Sequence, residues 1–305
     1  MFSRPNALDS DYLIADYIEY LCLLKGNPVS STDLRSLFSM SDDELNNNGI
    51  ESSDDVSIDR LEEAMRECSS RSLLCQNRYP FEYNRIEMKN KNDVEDQYKE
   101  IYMFLLFVTR LDMNTQRMQN GEDATQIFEE ICSIVAKEYF GSHAKSYVFG
   151  TAVSGTFRNK IDKLIENLHL DFQFKSPFGS TGRQKDGKLD IVAWIPFADR
   201  KDGQLIAFGQ CKTGDNWENK LTELDPISFF KSYCTGSPYA DVIRLFFVAE
   251  SFGIYKWEER CNSGGILFDR TRIMEYLPSQ IDSELLERIK KWNVEVLAVA
   301  RRELD

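Results

Sequence analysis

Two apolar segments separated by a short polar turn constrain the fold of this 305-residue chain more than any other feature. Residues 189–196 and 204–212 are rich in isoleucine, leucine, valine and aromatic residues, as β-strands are. The segment between them, 198–203, is charged and ends in a glycine, which is typical of a turn. The pattern therefore predicts a β-hairpin.

Three polar side chains, Asp190, Gln210 and Lys212, interrupt this apolar hairpin. Side chains alternate between the two faces of a strand, so Gln210 and Lys212 share one face and Cys211 lies on the other. A turn centred on residues 200–201 places Asp190 opposite one of residues 210–212, and in two of these three registers the carboxylate lies beside the amide and the ammonium. Charged groups in apolar strands must be paired or solvated, so the cluster is either a half-buried salt bridge or a functional site.

The rest of the chain indicates two domains, because the apolar pattern changes near residue 115. Apolar residues at helical spacing predict helices first, and a mixture of helices and strands follows the polar stretch 114–123. We expect an all-α domain over 1–115 and an α/β (α+β) domain, with a mixed central sheet flanked by helices, over 121–305. The helices are expected at 12–24, 58–75, 94–111, 124–140, 158–168, 221–233 and 283–304, and the further strands at 170–174, 242–249 and 266–268.

The charge distribution differs between these two parts. The chain has 37 basic and 50 acidic residues, and residues 1–60 alone hold 12 acidic and 4 basic ones. A domain that reads DNA is normally basic, so the first part is predicted to be an accessory or protein-contact domain. A helix-turn-helix regulator over residues 10–75 is the alternative. Residues 141–250 are nearly neutral, with 14 basic and 13 acidic residues, which leaves a nucleic-acid partner open.

Other features exclude several classes of protein. The longest apolar run, 101–108, is far shorter than the ~20 residues that cross a bilayer, and the first residues do not resemble a signal peptide. Seven scattered cysteines without a CxxC pair predict reduced thiols and a cytoplasmic protein. The two histidines, His143 and His169, are too few for a histidine-rich zinc site. Any metal would be a hard cation held by oxygens.

Two further patterns carry no chemistry. Residues 182–188 have the glycine and lysine spacing of a phosphate-binding loop, but Leu189 stands where serine or threonine must bind Mg²⁺, and the segment precedes a strand. Cys211 faces the core side of its strand and has no histidine nearby in sequence. We therefore interpret it as a buried, apolar cysteine and not as a nucleophile.

The hairpin resembles the PD-(D/E)xK nuclease superfamily, which has the restriction-endonuclease-like fold, and within it the Mrr-like branch. In that branch an Asp on one hairpin strand is followed by Glu-x-Lys or Gln-x-Lys on the next. Asp190 and residues 210–212 match this pattern, and residues 186–190 match the glycine-containing approach to the Asp; Leu189 stands where the family usually has proline. The resemblance spans 121–277 and implies the element order helix, strand, hairpin, helix, strand.

The resemblance implies a site for Mg²⁺ or Mn²⁺. In the Gln-x-Lys variants a glutamate of the first core helix often supplies the missing carboxylate, and Glu129 stands at that position, with Glu130 and Glu138 as alternatives. Asp190, the side-chain oxygen of Gln210, the carbonyl of Cys211 and Glu129 are then the expected ligands. Lys212 is expected to orient the attacking water. Nearby basic residues are expected to contact DNA phosphates: Arg158, Lys160, Lys163, Arg183, Lys185 and Lys188.

The function that follows from this resemblance is a Mg²⁺-dependent endodeoxyribonuclease of the bacterial restriction or anti-phage defence type. No NTPase motif is visible, so ATP-driven control would come from a partner protein, such as an NTPase or sensor subunit. The acidic N-terminal domain is the expected surface for that partner or for self-association. The alternative is a catalytically weakened nuclease-fold subunit that binds DNA or acts as a scaffold in a defence complex, because Gln210 replaces a charged ligand.

Overall fold

The computed structural model describes residues 5, 10–30, 32–34, 54–84, 87–150, 156–176, 187–214 and 216–304, and we describe the side chains of all of these except 54–59 and 303–304. The chain forms two compact units. The first unit comprises residues 1–122, 251–253 and 282–305. The second unit comprises residues 123–250 and 254–281.

The described residues form helices and mostly short strands. Up to the start of the second unit they are α1 (Asp11–Lys25), β1 (Val29–Ser30), α2 (Asp54–Cys75), a 3₁₀ turn (Gln76–Arg78), β2 (Phe81–Tyr83), β3 (Glu87–Asn90), α3 (Asp96–Val108), β4 (Met118–Gln119) and β5 (Glu122–Asp123). Then follow α4 (Ala124–Phe140), β6 (Lys145–Val148), α5 (Phe157–Asn167), β7 (Ile191–Ile195), β8 (Leu205–Lys212), a 3₁₀ turn (Trp217–Lys220), α6 (Pro226–Tyr233), β9 (Ile243–Val248), α7 (Trp257–Gly264), β10 (Ile266–Phe268), α8 (Arg270–Glu275) and α9 (Ser283–Leu304).

The first unit differs from the predicted all-α domain. Strands β1, β3 and β2 form a three-stranded antiparallel sheet in that order, and β4 pairs with β5. These strands contain two to four residues each, so none is long enough to show an alternating pattern in the sequence. The prediction that this region contains helices alone was therefore wrong.

The C-terminal helix α9 packs within the first unit, although the sequence analysis grouped it with the second domain. The Trp292 ring lies edge-on to Phe104 of α3, and its indole N–H donates to the carbonyl of Arg117. The Asn293 amide donates to the carbonyl and carboxylate oxygens of Glu100. The periodicity of residues 283–304 correctly predicted a helix but could not show which apolar surface it covers.

A buried ionic cluster joins α1 to α2 and α3. The Arg71 guanidinium is fully buried and lies 2.6 Å from an oxygen of Asp16 and 3.0 Å from one of Glu19. The hydroxyls of Tyr79 and Tyr102 donate to Glu19 at 2.8 and 2.9 Å. Asp16 and Glu19 of α1 thus face the interior of the unit.

This burial shows that α1 is not the DNA-reading helix of the helix-turn-helix alternative over residues 10–75. Every residue of α1 from Ile14 to Cys22 is buried, including both carboxylates of the ionic cluster. A helix that reads a DNA groove must present polar and basic side chains to the bases, and α1 presents none over this stretch. Residues 35–53 of the proposed regulator lie outside the described residues.

The second unit is built on a five-stranded mixed sheet with the strand order β10–β9–β8–β7–β6. Strands β6, β7 and β8 pair with one another in antiparallel fashion, whereas β8, β9 and β10 run parallel. Helices α5 and α6 contribute to a hydrophobic core that includes Val192, Trp194 and Phe208. The predicted mixed sheet flanked by helices is thereby confirmed.

The hairpin β7–β8 is confirmed, and its regular ladder ends with the pair Ile191 and Gly209. The backbone N–H of Asp190 donates at 3.0 Å to the carbonyl of Gly209, the residue that already pairs with Ile191. The Asp190 carboxylate in turn accepts from the N–H of Cys211. Asp190 therefore lies beside the last residues of β8, just beyond the regular ladder.

The strand before the hairpin is β6, not the predicted segment 170–174. In that segment only Phe174 forms a bridge, with Cys234. Leu170, Phe172 and Phe174 alternate as a strand would, but they pack against the core of the second unit without joining the sheet. Strand β6 carries a lysine, a serine and a tyrosine among its four residues, so it shows no apolar signal in the sequence.

The helix predicted at 221–233 is also shorter in the structure. It begins at Pro226, whose fixed backbone suits the first helical position, and the Asp225 carboxylate accepts a hydrogen bond from the N–H of Ser228. The preceding residues 217–220 form a separate 3₁₀ turn. This arrangement leaves residues 221–225 between the turn and the helix, beside the end of β8.

The direction of the strands gathers several segments at one edge of the sheet. Strands β8 and β9 are parallel and end there, whereas β7, which is antiparallel to β8, begins there. Strand β6 ends at the same edge, because Val148 pairs with Ile191. Asp190, the end of β8 and the residues that follow β6 therefore meet.

Candidate functional site

The Asp190 carboxylate is held at the mouth of the hairpin. The residue is 8% exposed, and its Oδ2 atom accepts a hydrogen bond of 2.8 Å from the backbone N–H of Cys211. Its own carbonyl accepts hydrogen bonds from the N–H groups of Phe149 and Gly150, at 2.7 and 2.9 Å. Backbone from the end of β8 and from the segment after β6 thus fixes Asp190 on both sides.

The Gln210 side chain is fully buried, and its two ends have different environments. The Nε2 amide donates to Oε2 of Glu223 at 3.2 Å. The Oε1 oxygen accepts no hydrogen bond from any residue that the structure describes. A buried amide oxygen without a protein partner is costly unless water or a cation satisfies it.

Lys212 lies two residues further along β8, partly exposed. It forms no ion pair with a described residue, so the half-buried Asp190–Lys212 salt bridge that the sequence left open is not present among them. Its ammonium is close enough to Glu223 to contribute to the electrostatics of that carboxylate.

Glu223 is a residue of this site that the sequence analysis missed. Its carboxylate lies 3.0 Å from the Lys220 ammonium and 3.5 Å from that of Lys188. Partial burial opposes its ionisation, but the hydrogen bond from Lys220 and the charges of Lys188 and Lys212 outweigh burial and lower the pKa of Glu223. The sequence pattern does not indicate that Glu223 contacts Gln210. The 3₁₀ turn, and not a long helix or strand, brings residue 223 back to Gln210.

The Glu129 carboxylate lies on the α4 side of the same sheet edge. The residue is 3% exposed, and a Cβ atom built on Gly150 would lie 2.6 Å from its Oε2 atom and 2.9 Å from its Oε1 atom. The N–H of the same Gly150 donates to the carbonyl of Asp190, so the backbone of Gly150 contacts both Glu129 and Asp190. Of the alternatives, Glu130 is half-buried and Glu138 is exposed, which favours Glu129 as the interior carboxylate.

The two cysteines near this edge are poor nucleophiles. Burial, the neighbouring Cys132 thiol and the negative charges of Asp190 and Glu129 raise the pKa of Cys211 well above its usual range. Burial also raises the pKa of Cys132. The Cys211 side chain is half-buried and not fully buried as the sequence predicted, and its raised pKa makes it a poor nucleophile at neutral pH.

The residues expected to contact DNA differ in their exposure and in their partners. Arg158 is exposed beside Asp162, and Lys188 is exposed and paired with Glu223. Lys160 is only 8% exposed, and its ammonium donates to the carbonyl of Gly150, so its expected role as a surface phosphate contact was wrong. Lys163 lies over the Tyr147 ring, whereas Arg183 and Lys185 lie outside the described residues.

The donor atoms at this edge suit a hard cation. Carboxylate, amide and carbonyl oxygens are the ligands that Mg²⁺ and Mn²⁺ take, and the Oε1 atom of Gln210, which lacks a partner among the described residues, is such a donor. Within the described residues, no three side chains of histidine, cysteine, aspartate or glutamate come together as a metal-binding group. A cation at this edge would therefore need Gln210 and a backbone carbonyl oxygen as ligands in addition to carboxylates.

Comparisons of the chain with protein-family models, with curated proteins and with solved structures find no match. No helix in the described part of the chain has the length and apolar character needed to cross a membrane. The evidence on function therefore comes from the geometry of the residues at this edge of the sheet.

Proposed function

We propose that this chain is a metal-dependent DNA endonuclease that hydrolyses phosphodiester bonds, of the restriction or anti-phage defence type and located in the cytoplasm. The observation that carries the proposal is the placement of Asp190, Gln210 and Lys212 at one edge of a mixed sheet: Asp190 accepts a hydrogen bond from the N–H of Cys211, the residue between the other two on β8. Among the described residues, the Oε1 atom of Gln210 has no hydrogen-bond partner and Lys212 has no ion pair. A carboxylate, an amide oxygen and a lysine in this arrangement match the Asp…Gln-x-Lys pattern of the PD-(D/E)xK superfamily.

The order of elements supports the same proposal. Helix α4, strand β6, hairpin β7–β8, helix α6 and strand β9 follow the order that the resemblance implies, with α5 inserted before the hairpin. The sheet is antiparallel through the hairpin and parallel after it. Glu129 of α4 lies beside Gly150, whose N–H donates to the carbonyl of Asp190, so this carboxylate stands at the same edge of the sheet as the end of the hairpin.

In the proposed mechanism four oxygen donors would hold Mg²⁺ or Mn²⁺: Asp190, Oε1 of Gln210, the carbonyl of Cys211 and Glu129. The cation would supply a water of lowered pKa and neutralise charge on the scissile phosphate. Lys212 orients the attacking water and stabilises the negative charge that develops on the phosphoryl oxygens. Lys188, exposed at the same edge, binds a neighbouring phosphate.

A nicking assay tests this function. Purified full-length chain is incubated with supercoiled plasmid and Mg²⁺ or Mn²⁺, and we expect conversion to open-circular and linear DNA that EDTA abolishes. A structured RNA of similar length, incubated in parallel, tests whether the substrate is DNA. Absence of cutting with either cation would contradict the proposal.

The second candidate is a catalytically weakened nuclease-fold subunit that binds DNA or acts as a scaffold. The observation that favours it is Gln210 itself, because an amide in place of a carboxylate removes one negative charge from the cation site. Exposed Leu73 and Leu74 at the end of α2 fit a protein-contact role for the first unit, either for a partner such as an NTPase or sensor subunit or for self-association. Tight DNA binding without cutting would favour this candidate.

A further inference from the structure

The hydrogen bond between Gln210 and Glu223 has a chemical consequence for the cation site. We infer that Glu223 is a positioning residue that fixes the orientation of the Gln210 amide, so that Oε1 and not Nε2 is presented to a divalent cation. This inference rests on the proposed metal-dependent function and deepens it. It assigns a role in the reaction to a carboxylate outside the Asp…Gln-x-Lys pattern.

The physical basis is the symmetry of a glutamine side chain. Its oxygen and its nitrogen have nearly the same shape, so packing alone does not decide which of them faces a cation. An ionised carboxylate can only accept hydrogen bonds. With the carboxylate of Glu223 3.2 Å from one end of the amide, that end must be Nε2, and Oε1 must be the other.

The charge of Glu223 is secured by its surroundings. Its carboxylate lies 3.0 Å from the Lys220 ammonium and 3.5 Å from the Lys188 ammonium. A carboxylate paired with two ammonium groups accepts hydrogen bonds and donates none, so Glu223 remains a pure acceptor. A neutral amide at position 223 could donate as well as accept, and would leave the orientation of Gln210 undetermined.

The same contact offsets the missing charge at position 210. A glutamate there would place its negative charge on the cation directly, whereas Gln210 together with Glu223 places it one hydrogen bond away. A charged acceptor polarises the amide and makes Oε1 a stronger donor to a cation. The full burial of Gln210 strengthens this effect, because the amide itself is shielded from water.

The test is a calorimetric titration of Mn²⁺ into the full-length chain and its variants. Glu223→Gln is expected to weaken Mn²⁺ binding by about 10- to 100-fold, the range found when a partner of a metal ligand is removed. In the double variant Glu223→Gln/Gln210→Glu the donor and acceptor are exchanged: the new amide donates to the new carboxylate, whose other oxygen faces the cation. We expect this exchange to restore most of the lost affinity.

Two controls accompany the titration. Glu166→Gln removes an exposed carboxylate of α5 in the same unit and is expected to bind Mn²⁺ like the wild type. Thermal unfolding of every variant shows whether the fold is retained. Asp190→Asn is titrated alongside as the variant that removes an expected ligand.

The outcomes separate this inference from the proposed function. Wild-type affinity in Glu223→Gln, together with a loss in Asp190→Asn, would overturn the role of Glu223 and leave the metal site standing. Weak binding in Glu223→Gln without recovery in the double variant would also overturn it, since orientation would not be the cause. A wild-type chain that binds no Mn²⁺ would overturn the proposed function itself.

Discussion

Replacement of Lys212 by methionine is expected to lower the rate of plasmid nicking by about 10²- to 10⁴-fold, the usual contribution of a group that assists proton transfer. Methionine has a similar length but no charge, so it can neither orient the attacking water nor stabilise the developing phosphoryl charge. Lys212 is not among the expected metal ligands. Mn²⁺ binding by Lys212→Met is therefore expected to remain close to that of the wild type.

The matched control is Lys201→Met in the turn of the same hairpin. Lys201 is 82% exposed and pairs only with Asp199 among the described residues, at the end of the hairpin away from the candidate site. We expect this variant to nick plasmid at the wild-type rate. Unchanged nicking by Lys212→Met, or loss of Mn²⁺ binding together with nicking, would contradict the proposed role of Lys212.

The second large effect concerns the stability of the first unit. Arg71→Met is expected to lower the free energy of unfolding by about 3–5 kcal/mol, as removal of one partner from a buried ion pair does. The carboxylates of Asp16 and Glu19 are fully buried, and the variant would leave them in the interior without the cation that lies between them. Urea denaturation followed by far-UV circular dichroism measures the change.

Arg66→Met in the same helix serves as the control for this experiment. The Arg66 side chain is 70% exposed, and its pairs with Glu62 and Glu63 lie at the surface of α2. Loss of such pairs is expected to change the free energy of unfolding by less than about 1 kcal/mol. Equal effects of the two substitutions would show that the buried cluster does not stabilise the unit as its geometry indicates.

The parts of the site that lie on the hairpin could be predicted from the sequence. Alternation along a strand places Gln210 and Lys212 on one face whatever the neighbouring strands do. A polar turn between two apolar segments limits the register to a few choices, and the pairing in the structure, Ile191 with Gly209, brings Asp190 to the end of β8. Local periodicity was sufficient because the residues that meet lie within one supersecondary unit.

The contacts made by more distant segments could not be predicted in this way. Glu223 reaches Gln210 through a 3₁₀ turn, and the approach of Glu129 to Gly150 depends on how α4 packs against the sheet. Lys160 was predicted to lie at the surface, but its ammonium points inward and donates to a backbone carbonyl. An amphipathic pattern does not show which lysine beside the apolar face of a helix does so. These contacts depend on tertiary packing between distant segments, which local sequence patterns do not show.

The most direct test of the central claim is the titration of Mn²⁺ into the wild-type chain and into Asp190→Asn. Asparagine can still accept the hydrogen bond from the N–H of Cys211, so the hairpin keeps its geometry while the ligand charge is removed. The wild type is predicted to bind Mn²⁺ saturably, and Asp190→Asn to bind at least about tenfold more weakly. Absence of binding in the wild type, or equal affinity in the two proteins, would contradict a cation site at this sheet edge.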